Sequence, residues 1–290
     1  MGINVSIVAG QNKAASSVKA SGSVQHVITP AERKAFNLSD NQLKNAIKAY
    51  FKKAPNDAFL RSPTPWGDLY KTYGWPQVQL VLAVQSAEIL AITSEPVIVK
   101  SQEFVNNSSR TANFNVAISE SVNNTTSSSW TVGNSLAIGQ KFSYGVSFLG
   151  ADGKGETSMS YTHSWGEGGS ESKSITVGST SGLTVQLGPG EAVIAELSAS
   201  RGVMKVRIVY NAYLVGRTAV NYYPPYKGHH FYALSINDVM VSGRIPNSIK
   251  STENIEVGYY SNSRIELKDI VTKKVKEVFR MADLPGAVLK

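Results

Sequence analysis

The chain has 290 residues, 29 Lys and Arg against 21 Asp and Glu for a formal charge of +8, and no cysteine. That length can bury a sizeable core, while the lack of cysteine excludes a disulfide framework and a cysteine-ligated zinc site. The positive charge favours anionic surfaces, yet apart from Lys52 with Lys53 and the trio Lys273, Lys274 and Lys276 the basic residues are scattered, which argues against nucleic acid as a partner.

The first third is the helical part. Thr29, Pro30 and Glu32 form a capping-box signature with proline at the first helical position, and Ser39 with Gln42 repeats it ten residues on. In the second helix Leu43, Ala46, Ile47, Tyr50 and Phe51 share one face, and Pro55 marks the stop. No basic start followed by an apolar stretch opens the chain, so it is expected to be secreted or released without a visible signal peptide. Between Pro63 and Pro76 stand Trp66, Tyr70, Tyr73 and Trp75 among glycines and prolines. Aromatic rings in such a loop suit sugar or headgroup recognition, and they equally suit capping a small core.

After Gln77 the periodicity changes to two. Residues 78–84, 97–105 and 112–119 alternate, and Glu120 to Ser129 is almost pure Ser, Thr and Asn, a strand without a core face. From Trp130 to Phe148 apolar residues hold nearly every second position, with Asn134 and Gln140 interrupting. The return arm alternates Met159, Tyr161, His163 and Trp165 with serines and threonines. Asp152 and Gly153 make a hairpin turn between them, which predicts Phe148 opposite Thr157, Val146 opposite Met159, Tyr144 opposite Tyr161 and Phe142 opposite His163. Both apolar faces then coincide, and a slip of one residue would destroy the match. The other face is Ser, Thr, Gly and Ala with Lys141 and Glu156, the dyad of a barrel with lipid outside and water inside, though a half-buried hairpin in a soluble sandwich alternates in the same way. A second polar tract, Gly166 to Ser174, leaves the hairpin. Gly188, Pro189 and Gly190 make a turn, and a long strand over Val203 to Val215 buries Met204, Val206, Ile208, Tyr210, Ala212 and Leu214. Near the end Val271, Val275, Val278 and Phe279 have helical spacing behind Asp269 as a cap, predicting a terminal helix.

No run approaches the ~18 apolar residues of a transmembrane helix, so any membrane contact falls to strands. The histidines at 26, 163, 229 and 230 lack metal-ligand spacing, carboxylates form no pair and no glycine-rich phosphate loop joins a strand to a helix. Neither an enzyme nor a cofactor or metal is expected.

Two Ser/Thr-rich strands around an amphipathic hairpin with a Gly-rich tip, then the Gly-Pro-Gly turn and long strands, resemble the aerolysin-like β-pore-forming toxins, in particular the epsilon-toxin and Mtx2 branch; monalysin is similar in the character of its hairpin. The likeness spans roughly residues 97–220. It implies a mainly β, elongated fold of long twisted antiparallel strands with a small helix-containing N-terminal part. It divides the chain into a possible receptor-binding head at 1–96 holding Trp66, Tyr70, Tyr73 and Trp75, a pore-forming module at 97–220 with its insertion hairpin at 130–165, and a C-terminal β part at 221–290 whose terminal helix is a possible propeptide. By resemblance Val132, Leu136, Ile138, Phe142, Tyr144, Val146, Phe148, Leu149, Met159 and Tyr161 would enter the membrane, with Phe148 and Leu149 at the tip. Lys141, Ser143, Ser147, Glu156, Ser158 and Ser160 would face the lumen. The partners implied are a target membrane with its receptor and further copies of the chain in a ring, and Lys273, Lys274, Lys276 and Arg280 offer sites for an activating protease. The stretch from Asn221 to Phe231, rich in Tyr, Pro and His, resembles spherulin and follicular yolk proteins of the same fold, which keeps a non-lytic carbohydrate-binding or storage role as the alternative.

Overall fold

The computed structural model describes residues 2–132, 141–149 and 156–280, without the side chains of residues 132, 141, 142, 149, 156 and 157. In chain order the elements are β1 (Asn4–Ala9), a 3-10 turn at Lys13–Ala15, β2 (Ser17–Ser21), β3 (Ser23–Val27), α1 (Pro30–Ala35), α2 (Asp40–Phe51), β4 (Asp57–Phe59), α3 (Pro65–Tyr73) and β5 (Gln79–Val105). Then come β6 (Ala112–Val132), β7 (Lys141–Leu149), β8 (Glu156–Ser164), β9 (Gly169–Leu187), β10 (Ala192–Val215), β11 (Arg217–Tyr226), β12 (His229–Ser235), α4 (Ile236–Ser242), β13 (Ile249–Asp269) and β14 (Val275–Arg280).

The long strands make one sheet in the order β3-β5-β10-β13-β6-β9, with β14 on the C-terminal end of β13. At 27 residues β5 is one strand where two were expected, and at about 3.3 Å per residue it reaches roughly 90 Å. Residues 96 and 220 fall inside β5 and β11, so the three expected stretches share strands. In β10 the inward row Met204, Val206, Ile208, Tyr210, Ala212 and Leu214 is buried as its alternation required. Irregularities at Ser198 and Ser200 let the twisting strand keep pairing with both β5 and β13.

The capping box forms as its sequence demanded: the Thr29 Oγ1 accepts from the Glu32 amide at 3.3 Å and the Thr29 amide donates to Glu32 Oε2 at 2.8 Å. Ser39 occupies the N-cap of α2 without a side-chain bond, and Leu43, Ala46 and Ile47 are the buried face of that helix. The first third also carries β1 to β4, which a search for helical signals passes over.

The terminal helix does not form. Val275–Arg280 is a strand paired with β13, Arg264 to Arg280 and Ile265 to Phe279. Asp269 caps a turn instead, accepting from the Val271 and Thr272 amides at 3.0 and 2.8 Å. β13 offers this segment an open ladder, and pairing with it wins over a helix whose apolar face has nothing to pack on.

Candidate functional site

A second, four-stranded sheet has the order β2-β1-β7-β8. Its antiparallel pair β7 and β8 is the predicted hairpin in the predicted register, Phe148 to Thr157, Val146 to Met159, Tyr144 to Tyr161 and Phe142 to His163. Trp130 and Val132 are not on its outgoing arm; they end β6 and pair with Glu253 and Ser251 of β13. Leu136, Ile138 and the tip from 150 to 155 lie outside the described residues, as do the side chains of Val132, Lys141, Phe142, Leu149 and Glu156. Of the remaining apolar candidates Tyr144, Val146, Phe148 and Tyr161 are buried and Met159 is half-buried. On the opposite face Ser143, Ser158 and Ser160 are exposed and Ser147 is half-buried.

The large sheet covers the apolar face. Its side chains belong to one core with Tyr210, Ile255, Val257 and Tyr259. Part of the cover is polar: Ser128 Oγ lies 3.0 Å from the Tyr161 hydroxyl and Thr126 Oγ1 3.5 Å from Met159 Sδ, so the Ser/Thr tract of β6 has a buried side after all. At the centre stands Glu253, wholly buried. Its Oε2 accepts from the hydroxyls of Tyr144 at 2.5 Å and Tyr210 at 3.0 Å, and His163 Nε2 lies 2.9 Å from Oε1, outside hydrogen-bond alignment. Trp130, Trp165 and Tyr210 wall the cluster at ring separations of 4.4 to 5.5 Å. Burial, then the Glu253 charge, pushes the Tyr144 and Tyr210 hydroxyls well above the usual phenol range, so both remain donors. Tyr144 and His163 come from the hairpin and Tyr210 and Glu253 from the body, so the carboxylate keeps the first two neighbours only while the hairpin is docked. Glu253 stands two residues before Ile255, Val257 and Tyr259 in an alternating strand; a lone acid on an apolar face was the signal that could have found it.

No backbone ladder joins β7 or β8 to the large sheet among the described residues. Among the described residues the hydrogen bonds between the hairpin and that sheet are made through side chains.

The second candidate region is α3 and its surroundings. Trp66, Gly67 and Asp68 all have positive φ, 62°, 75° and 64°, costly for the two non-glycine residues. Buried Asp68 holds this turn through the Ser62 hydroxyl at 3.0 Å, and Thr64 Oγ1 accepts from the Leu69 amide at 2.8 Å. The turn raises Trp66, 48% exposed, against Phe231 at 5.2 Å, while Tyr73, 50% exposed, stacks on Trp75 at 4.7 Å. Tyr70 does not belong to this surface. It is 3% exposed, donates to the Phe59 and Arg217 carbonyls at 2.7 and 3.0 Å, and its hydroxyl is pushed up chiefly by burial. Tyr223, stacked on His230 at 6.0 Å, adds to the exposed rings, next to the half-buried Phe231. Sequence distance separated these from Trp66; the β11–β12 hairpin brings them beside it.

Lys273 and Lys274 lie exposed at the β13–β14 turn, whereas Lys276 pairs with Glu191 at 2.9 Å and Asp269 at 3.6 Å. Arg280 ends β14 opposite Arg264. Among the described residues no group of three His, Asp or Glu could hold a metal ion, and the Glu253 cluster is closed to any substrate.

The family model described as Clostridium epsilon toxin ETX/Bacillus mosquitocidal toxin MTX2 matches residues 37–275. The chain is 36% identical over 248 residues to U-megalopygitoxin(8)-Mc8 of Megalopyge crispata, covering 86% of this chain and 85% of the relative. It is 35% identical over 248 residues to U-megalopygitoxin(8)-Mo12 of Megalopyge opercularis, with shares of 86% and 85%. Among solved structures it is similar to parasporin-2, a Bacillus thuringiensis toxin that recognizes cancer cells, at a TM-score of 0.63 and 14% identity over 85% of this chain and 98% of that one. The fold is the aerolysin-like one.

Proposed function

Because the chain belongs to the Clostridium epsilon toxin ETX/Bacillus mosquitocidal toxin MTX2 family, we propose that it is a secreted pore-forming toxin that binds a target membrane, assembles into a ring of copies and inserts the β7–β8 hairpin as part of a shared barrel. The observation that carries this reading is the hairpin's attachment: its apolar face is buried, yet no backbone ladder ties it to the large sheet among the described residues. It can leave without breaking that sheet. Each strand has nine residues, about the length of a tilted membrane strand. After insertion Tyr144, Val146, Phe148, Met159 and Tyr161 face lipid, and Ser143, Ser147, Ser158 and Ser160 face water. Release brings the buried Glu253 carboxyl group into water, which offsets part of the packing lost.

Trp66, held outward by the strained turn, and Tyr73, with the half-buried Trp75 and Phe231 beside them, form the receptor contact. Lys273 and Lys274 are the residues open to an activating protease. The test is dye release from vesicles of phosphatidylcholine and cholesterol and from erythrocyte ghosts, before and after trypsin, with SDS-resistant oligomers followed in parallel. Leakage with oligomers is expected. Binding to ghosts without leakage or oligomers under any treatment would instead assign a non-lytic binding protein that uses the same aromatic face.

A further inference from the structure

The hairpin has two edges, and they are treated differently. The outer edge of β7 is occupied by β1, in parallel register from Val5 opposite Tyr144 to Ala9 opposite Phe148. β8 ends its sheet, and among the described residues no strand pairs its outer edge, although the Lys173 ammonium takes the Ser158 carbonyl at 2.7 Å. In any ring of hairpins each β7 must pair with the β8 of the next copy, and β1 sits where that strand would lie.

We propose that β1 is an exchangeable strand that caps the assembly edge of β7, and that the occupant replacing it is β8 of a second copy of this chain; this rests on the pore-forming reading. Three observations support it. The cap is short and parallel, five residue pairs, whereas an antiparallel β8 offers nine residues and the better-aligned ladder. The cap is anchored to the body rather than the hairpin: Val5, Ile7 and Ala9 are buried in the main core, and the Tyr259 hydroxyl of β13 donates to the Gly10 carbonyl. Withdrawal of the hairpin therefore parts it from β1 and exposes the β7 edge. Finally, β1 to β3 lie outside residues 37–275, the part of the chain that the family model matches. With β7 capped and only β8 open, docked copies cannot chain together in solution.

The test is a reversible bond across the capped edge. Ser6 and Gly145 are opposite one another on the exposed face, Gly145 has room for a side chain, and the protein has no other cysteine. In the S6C/G145C variant, oxidation should abolish SDS-resistant oligomers and dye release from the same ghosts, and reduction should restore both. Oxidised protein that assembles as fast as reduced protein overturns the proposal. Hydrogen exchange of the free protein reads the cap without any pore: amides from 143 to 148 should exchange at least about tenfold more slowly when oxidised, and equal rates overturn it. If reduced and wild-type protein both fail to leak while exchange slows as expected, the pore-forming reading fails and the cap stands.

Discussion

The β7–β8 hairpin and the β10–β13 ribbon are written in the same alternating code, and the protein uses them in opposite ways. β10 has long antiparallel neighbours on both sides, β5 and β13, and its inward row is entirely apolar apart from the Tyr210 hydroxyl. The hairpin has one short parallel neighbour, rests partly on Ser128 and Thr126, and encloses the Glu253 cluster. Alternation specifies which face is buried. Edges and buried polar groups specify whether the burial is permanent.

The largest separation should come from Glu253→Ala. Removing the acceptor leaves the buried Tyr144 and Tyr210 hydroxyls, 2.8 Å apart, with only each other, at about 1–3 kcal/mol for each buried group that loses its partner, and the loss should show first as faster hydrogen exchange in the hairpin. Ile208→Ala, in the ribbon, should cost about 2–5 kcal/mol in urea denaturation without a selective rise in hairpin exchange. If the hairpin and β10 respond alike to both variants, the distinction between them is lost. Tyr210→Phe removes one donor to the carboxylate from the body side and should cost about 1–3 kcal/mol, again read first in the hairpin.

Alkaline pH sharpens the same contrast. Tyr144 and Tyr210 are pushed well up by burial and the Glu253 charge, and Tyr222, in β11, up to about 12 by burial. A raised folded value leaves stability intact below the unfolded phenol value near ~10 and removes it as pH rises beyond, since the unfolded chain ionises first. Absorbance titration should show these tyrosines silent until unfolding. Reversible ionisation of all 13 tyrosines near the ordinary phenol value would contradict the buried cluster. Trp66→Ala should change stability by less than about 0.5 kcal/mol while lowering binding to ghosts, because half the ring is already in water.

Much of this was legible. The hairpin register followed from Asp152, Gly153 and the agreement of two apolar faces, and the buried row of β10 from simple alternation. The terminal segment misled because Val271, Val275, Val278 and Phe279 satisfy a helical spacing, and only the open half of β13 decides for a strand. Tyr70 read like its aromatic neighbours until its hydroxyl found two carbonyls. The parallel pairing of β1 with β7 and the meeting of Glu253 with His163 join residues more than 80 positions apart, and no local pattern encodes such contacts.

The central claim, that the docked hairpin enters the membrane with its faces as assigned, is tested most directly by single cysteines at Val146 and Met159 and at Ser143, Ser158 and Ser160, each carrying an environment-sensitive fluorophore. On leaking ghosts the first pair should shift to the blue and be quenched from the lipid, and the serine positions should be quenched by iodide from water. Emission that is unchanged from the free protein, or that lacks this alternation, would contradict the account.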